Sequence, residues 1–262
     1  MRIIKVVVII FLLLVISACQ DKKIDNEQTE EIEIDINEDN QDIVEDSKNL
    51  IVSQEKLDTI YKKDGQKIAY LTFDDGPSIN ITTEILDILK ENEIKATFFV
   101  VGENAQKNSD IIKRMYEEGH DIGNHTYSHN FRDIYKNPQN FISSIKKCDE
   151  IIKSILGETY DFNVIRFPGG SSGKDLKDFK IELNNSGYSY VDWNCLNGDS
   201  ERENETVEQL VERFKETSKG KEKLVILMHD NSSKINTPES LKKIIKYLKE
   251  SGYTFELFSQ ID

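Results

Sequence analysis

One alternation constrains this chain more than any other feature. From Lys67 onward, short runs rich in β-branched and aromatic residues alternate with stretches whose apolar residues recur at helical spacing. The runs are Lys67 to Phe73, Ala96 to Val101, Asp121 to Gly123, Asn163 to Phe167, Tyr188 to Cys195, Leu224 to Met228 and Tyr253 to Phe258. The spacing predicts helices over Thr82 to Lys90, Asp110 to Glu118, Pro138 to Leu156, Leu176 to Asn185, Thr206 to Thr217 and Pro238 to Lys249. In the longest, Phe141, Ile145, Cys148, Ile151, Ile152 and Ile155 share one face. Strands alternating with helices make βα units around a mainly parallel sheet, an α/β fold. About seven strands suit either a doubly wound sheet or a barrel. A doubly wound sheet offers a ligand site only at its switch point. Here unusual polar residues follow several different strands, as they do in a barrel whose site lies at the carboxyl ends of its strands. The expectation is a barrel-like closure.

The residues before this domain read differently. Arg2 and Lys5 precede an apolar run from Val6 to Ile16, then Ser17-Ala18-Cys19. A basic start, a short apolar core and small residues before a cleavage point mark an export signal. The run is shorter than the ~20 residues that span a bilayer. Ile16-Ser17-Ala18-Cys19 resembles a lipobox, which predicts a signal peptide over residues 1–18 and a lipid on Cys19 that anchors the chain to the outer face of the cell membrane. Asp21 to Asp46 holds twelve acidic residues, two lysines and no aromatic residue. Such a segment buries too little apolar surface to offset its ordering entropy, so residues 19–64 are predicted to be an acidic disordered tether. Much of the net charge of −14 sits there. Acidity without a basic patch excludes nucleic acid as a partner. Residues 65–262, about 200, form one domain. Cys148 and Cys195 lie in apolar patterns and are expected to be unpaired core thiols.

The chemistry collects at strand ends. Two of the four histidines form His125-Thr126-Tyr127-Ser128-His129, a spacing that on a helical turn would aim both imidazoles at one ion. Surface histidine pairs share this spacing, so it decides nothing alone. The first strand, however, stops at the adjacent carboxylates Asp74 and Asp75, and Gly76-Pro77 then turns the chain. Adjacent carboxylates point in different directions, so one can ligate a metal while the other meets substrate or water. Two histidines and one carboxylate leave open coordination positions, as hydrolytic zinc sites require. The same set can hold ferrous iron. Arg166-Phe167-Pro168-Gly169-Gly170 and Leu227-Met228-His229 end two further strands.

Together, Thr72-Phe73-Asp74-Asp75-Gly76-Pro77, His125-Thr126-Tyr127-Ser128-His129, Arg166-Phe167-Pro168-Gly169-Gly170 and Leu227-Met228-His229 resemble the ordered motifs of the polysaccharide deacetylases, the NodB-homology group or carbohydrate esterase family 4. The resemblance covers the chain from about Lys67 to its C-terminus. It implies a distorted (β/α) barrel of about seven strands holding one divalent metal, zinc first, with cobalt, manganese or ferrous iron as alternatives. Carried over by position, Asp75, His125 and His129 are the metal ligands and Asp74 is the general base. The metal would polarise the acetamide carbonyl and acidify water while Asp74 takes the proton. A backbone N–H near Gly169 would help hold the oxyanion. Arg166 would orient Asp74, and His229 would protonate the departing amine. The implied substrate is an N-acetylated cell-wall polysaccharide, peptidoglycan N-acetylglucosamine foremost, with chitin, poly-N-acetylglucosamine and xylan as family alternatives, and the enzyme is expected to be a monomer.

Three positions depart from the family pattern. Gly169 stands where a tyrosine is usual, which keeps a backbone donor and removes an aromatic wall. In Val191 to Ser200, the position of the acid that tethers the catalytic histidine falls, without gaps, on Leu196. A neutral partner would leave His229 less basic and less fixed, the property of a weakly active wall-binding protein, unless Asp192, Asp199 or Asp230 substitutes. The tryptophan usual near the end of that segment falls on Ser200.

Overall fold

β1 (Ile68–Asp74) is the axis of the fold, and all seven of its residues are buried. A strand with no solvent-facing side is a central strand of a parallel sheet covered on both faces. The computed structural model describes residues 51–172 and 175–261. Cys19, the signal segment 1–18 and the tether as far as residue 50 lie outside the described residues. After α1 (Gln54–Thr59) and β1 come α2 (Ile81–Glu91), β2 (Thr97–Val100), α3 (Gly102–Lys107), α4 (Ser109–Glu117), β3 (Asp121–Asn124), α5 (Phe131–Ile134), α6 (Pro138–Leu156) and β4 (Val164–Ile165). Then follow α7 (Lys177–Asn185), β5 (Ser189–Tyr190), β6 (Cys195–Leu196), α8 (Val207–Ser218), β7 (Lys223–His229), α9 (Thr237–Glu250), β8 (Thr254–Phe255) and a 3₁₀ turn (Phe258–Gln260). Among the described residues no helix is long and apolar enough to cross a membrane.

The strands run β5-β4-β3-β2-β1-β7-β6, with β8 beside the start of β1, and every pairing is parallel. The two outermost strands are consecutive in sequence, and that forces curvature. Tyr190 and Cys195 are five residues apart, a reach of at most about 18 Å. Six strand spacings of about 4.8 Å would hold the edges of a flat sheet about 29 Å apart. The sheet therefore curls into a half-barrel with helices around it, as expected. The run Tyr188 to Cys195, expected to be one strand, is instead two short strands on opposite edges joined by residues 191–194. One strand cannot pair with both edges at once. Asn194 begins the new edge: its side chain accepts from the Val225 N–H at 2.9 Å and donates to the Lys223 carbonyl at 2.9 Å.

The register sets the level of every strand end. Asp74 pairs with Phe99 on one side and His229 on the other. Val100 pairs with Asn124, and Asn124 with Ile165, so His125 and Arg166 emerge at the same rim. The core beneath is apolar, and a second cluster stacks Phe141 on Phe167 with ring centroids 4.7 Å apart. Cys148 and Cys195 are buried free thiols.

The domain begins earlier than the sequence suggests. Residues 51–64, assigned to the tether, carry α1, whose Ser53 side chain accepts from the Lys56 N–H at the helix start. Val52, Leu57 and Ile60 are buried in the main core. Gln54 accepts from the Tyr190 N–H at 2.9 Å and donates to the Tyr190 carbonyl at 3.1 Å, covering the edge of β5. The acidic stretch just upstream masks this short apolar helix in the composition. Leu57→Ala should therefore destabilise the domain by about 2–5 kcal/mol, the usual range for a buried leucine. Denaturant unfolding that matches wild type would show that α1 is not part of the folded unit.

Candidate active site

At the carboxyl rim, Asp74 and Asp75 separate as adjacent residues must. Asp75 adopts φ +75°, a left-handed backbone unusual for a residue with a side chain. The close turn after it needs Gly76, because a Cβ there would lie 2.0 Å from Asp230 Oδ2. Asp75 Oδ1 lies 3.5 Å from His125 Nε2 and 3.3 Å from His129 Nε2. That oxygen is buried without a hydrogen-bond partner, while Oδ2 accepts from Asn231 at 3.2 Å. Burial alone would raise the Asp75 pKa, but the electrostatic attraction of the His125, His229 and His129 rings, with the Asn231 hydrogen bond, outweighs it and holds the carboxyl below its ordinary value. Burial and the neighbouring His125 push His129 down, favouring the neutral imidazole that a metal takes.

The donor set fits a divalent metal. One ligand atom from each of Asp75, His125 and His129 lies within 4.8 Å of the others. His125 Nδ1 sits 2.9 Å from the Arg166 carbonyl. A carbonyl only accepts, so the proton belongs on Nδ1 and Nε2 is left with its lone pair toward Asp75. A buried carboxylate oxygen without a donor, beside two imidazole nitrogens, is a site built for a cation.

Asp74 has a different environment. It is buried, and its Oδ1 accepts from Arg166 Nη1 at 3.0 Å. Its Oδ2 lies 3.8 Å from His125 Nε2. Arg166 is wholly buried; Nη1 also donates to Thr72 at 2.6 Å, Nε donates to the Val191 carbonyl at 3.1 Å, and the guanidinium lies 4.3 Å from the centre of the Phe99 ring. Gly169, at φ +74°, is the exposed third residue of a turn closed by the Gly170 N–H donating to the Phe167 carbonyl at 2.8 Å. Ser171 fastens the loop by donating twice to Asp192, at 2.9 and 2.6 Å.

His229 ends β7 opposite Asp74, and its acid partner is Asp199. His229 Nδ1 lies 2.7 Å from Asp199 Oδ1, and the His229 N–H donates to Oδ2 at 2.9 Å. Thr237 donates to the same carboxylate at 2.9 Å. The ungapped reading that placed a neutral Leu196 at this position is thus corrected. β6 ends at Leu196, and the turn through Gly198 (φ +83°) then brings Asp199 round to the histidine. A count along the chain cannot see that turn. Ser200, also within 3.0 Å of Nδ1, is part of the same corner. Of the other two acids considered, Asp192 holds the Ser171 loop and Asp230 accepts from Thr82 at 2.7 Å. Burial disfavours a charged His229, but the Asp199 hydrogen bond and charge, with Asp74 and Asp75, override it and push the pKa up to about 9.

The histidine loop also differs from expectation. Residues 125–129 form no helical turn; Thr126 and His129 both have positive φ, at +69° and +54°. The imidazoles converge, with centroids 4.9 Å apart, because the loop bends back on itself. The remaining histidine, His120, stays out of the site. It is buried, accepts from the Ala96 N–H at 3.1 Å, and is pushed down to about 4 chiefly by burial.

A family model described as polysaccharide deacetylase matches residues 61–212. A peptidoglycan-N-acetylglucosamine deacetylase of Bacillus cereus is 33% identical over 198 residues, covering 74% of this chain and 70% of its own. Among solved structures, a Streptococcus mutans CE4 esterase is 35% identical with a TM-score of 0.72, covering 79% of this chain and 91% of that one. The catalytic domain of a peptidoglycan N-acetylglucosamine deacetylase from Eubacterium rectale is 31% identical with a TM-score of 0.68, covering 77% and 93%.

The raised His229 pKa has a sign that can be measured. A histidine whose folded pKa exceeds its unfolded value of ~6.5 stabilises the fold fully below that value. The contribution disappears as pH rises through about 9. Metal-free protein should therefore lose melting temperature between about pH 6 and pH 10, and Asp199→Asn should flatten that part of the loss. Parallel profiles for the two proteins would contradict the Asp199–His229 pairing.

Proposed function

Since the chain belongs to the polysaccharide deacetylase family, we propose that it hydrolyses N-acetyl groups from amino sugars of a cell-wall polysaccharide, with peptidoglycan N-acetylglucosamine as its substrate. The observation that carries this reading is the convergence of Asp75, His125 and His129 beside a separate, arginine-held carboxylate and an acid-paired histidine. Asp75, His125 and His129 would hold a divalent metal, zinc being the ion proposed, and it would supply Lewis-acid polarisation of the acyl oxygen and acidify water.

The side chains divide the proton work. Asp74 Oδ1 is committed to Arg166, so Oδ2 is the oxygen that takes a proton from the attacking water. Arg166 fixes that carboxylate rather than touching substrate. The Gly169 amide donates to the oxyanion that develops as water adds to the acetyl carbon. His229, kept charged by Asp199, delivers its proton to the amine nitrogen as the C–N bond breaks. Acetate and a free amino sugar result. A charged, tethered acid removes the ground for reading the chain as a wall-binding protein without turnover, which rested on Leu196.

The setting follows from the N-terminal sequence. Export and a lipid on Cys19 would hold the domain, as a monomer, at the outer face of the membrane, facing the wall.

Acetate release from peptidoglycan fragments by zinc-loaded protein tests the proposal. Chelation should abolish release and zinc should restore it. Asp74→Asn should lower kcat by about 10²–10⁴, the usual worth of a positioned base. Release that survives both treatments, or none from any N-acetylated glycan at full zinc occupancy, would overturn it.

A further inference from the structure

We propose that Asp149, on the outer helix α6, is a positioning residue for the metal ligands, acting through Asn124 on the loop that carries His125 and His129. The proposal rests on the metal reading of those histidines and concerns how this chain holds them. The loop needs holding. Thr126 is β-branched, yet it takes a left-handed backbone at φ +69°, and His129 does the same at +54°. Such conformations persist only where surrounding contacts over-determine them.

Those contacts lead outward in one chain. The His129 N–H donates to Thr126 Oγ1 at 3.1 Å, and the Thr126 N–H donates to Asn124 Oδ1 at 2.9 Å. Asn124 is buried, and its amide nitrogen donates to the Ile145 carbonyl at 2.8 Å and to Asp149 Oδ1 at 2.6 Å. Tyr188 donates to the second Asp149 oxygen. A side-chain amide can face either way, and here its orientation decides what the Thr126 amide meets. An ionised carboxylate only accepts, so Asp149 requires the NH₂ end of Asn124. That leaves the oxygen end for Thr126. The reverse orientation would set an oxygen against Asp149 and an NH₂ against the Thr126 N–H. Asp149 and the Ile145 carbonyl thus together select the amide orientation, with Asp149 the side chain that can be changed; the amide supports the strained threonine, and the threonine follows His125 in the chain and accepts from the His129 N–H.

Other contacts clamp the loop but do not replace this one. The Gly102 and Glu103 amides donate to the Thr126 and Tyr127 carbonyls at 3.0 and 2.8 Å, and Ser144 accepts from the Tyr127 N–H at 3.0 Å. None of these satisfies the Thr126 N–H.

The test is zinc affinity, measured on the folded chain by competition with a chromophoric chelator, with the visible spectrum of the cobalt-loaded protein as a second readout. D149L keeps bulk while removing the acceptor, and should weaken zinc about tenfold and shift the cobalt bands, the usual scale for a residue behind a ligand. D149N still offers an oxygen to Asn124 and should stay within about threefold of wild type. If D149L does not fold, Tyr188→Phe removes the phenol that braces Asp149 and should weaken zinc about threefold. Wild-type zinc affinity and cobalt spectrum in a folded D149L or Y188F, whatever the melting temperature, would reduce Asp149 to a structural brace and overturn the proposal. Wild-type protein that takes up no zinc would overturn the metal reading, and this proposal with it.

Discussion

A wholly buried guanidinium joins the parts of this protein that would otherwise be independent. Arg166 leaves the end of β4 and reaches Asp74 and Thr72 on β1 and the Val191 carbonyl in the crossing between the sheet edges. A buried charge is tolerated only when paired and hydrogen-bonded, and removing one partner of such a pair costs about 3–5 kcal/mol. Arg166 and Asp74 therefore need each other before any chemistry is considered. The same backbone residue turns its carbonyl to His125 Nδ1 and so selects the imidazole nitrogen that faces Asp75. One position thus orients both the Asp74 carboxylate and the His125 imidazole.

The half-barrel explains why such distant segments meet. Parallel register places Asp74, His229, His125 and Arg166 at one rim, and the short run between β5 and β6 bends the sheet until its edges approach. The side chains that meet there are the last residues of β1 and β7, Asp74 and His229, and residues of the loops that follow β1, β3, β4 and β6. The two carboxylates receive opposite assignments from their surroundings alone. Asp74 is tied to a cation that never leaves, whereas Asp75 keeps an oxygen free of donors.

Much of this was legible in the chain. Helix α6 falls where its apolar periodicity places it, with Pro138 at the start and Gly157 past the end. The strand ends at Asp74, Arg166 and His229 were marked because polar residues follow apolar runs there. What stayed hidden depends on three-dimensional turns. Asp199 reaches His229 only after the left-handed Gly198, so counting without gaps lands on Leu196. The histidine loop obtains its convergence from two left-handed residues rather than from helical spacing, and periodicity carries no sign of φ. α1 was concealed because a six-residue helix beside a long acidic stretch has too little sequence to announce itself.

The proposed function stands on Asp75, His125 and His129 forming one metal centre. Zinc K-edge X-ray absorption on protein loaded with one equivalent of zinc tests it most directly. Two imidazole nitrogens are expected at about 2.0–2.1 Å, with the remaining positions filled by oxygen at about 2.0–2.2 Å. His129→Ala should lose one imidazole shell. A spectrum without imidazole scattering, or one unchanged by that substitution, would place the metal away from these three residues.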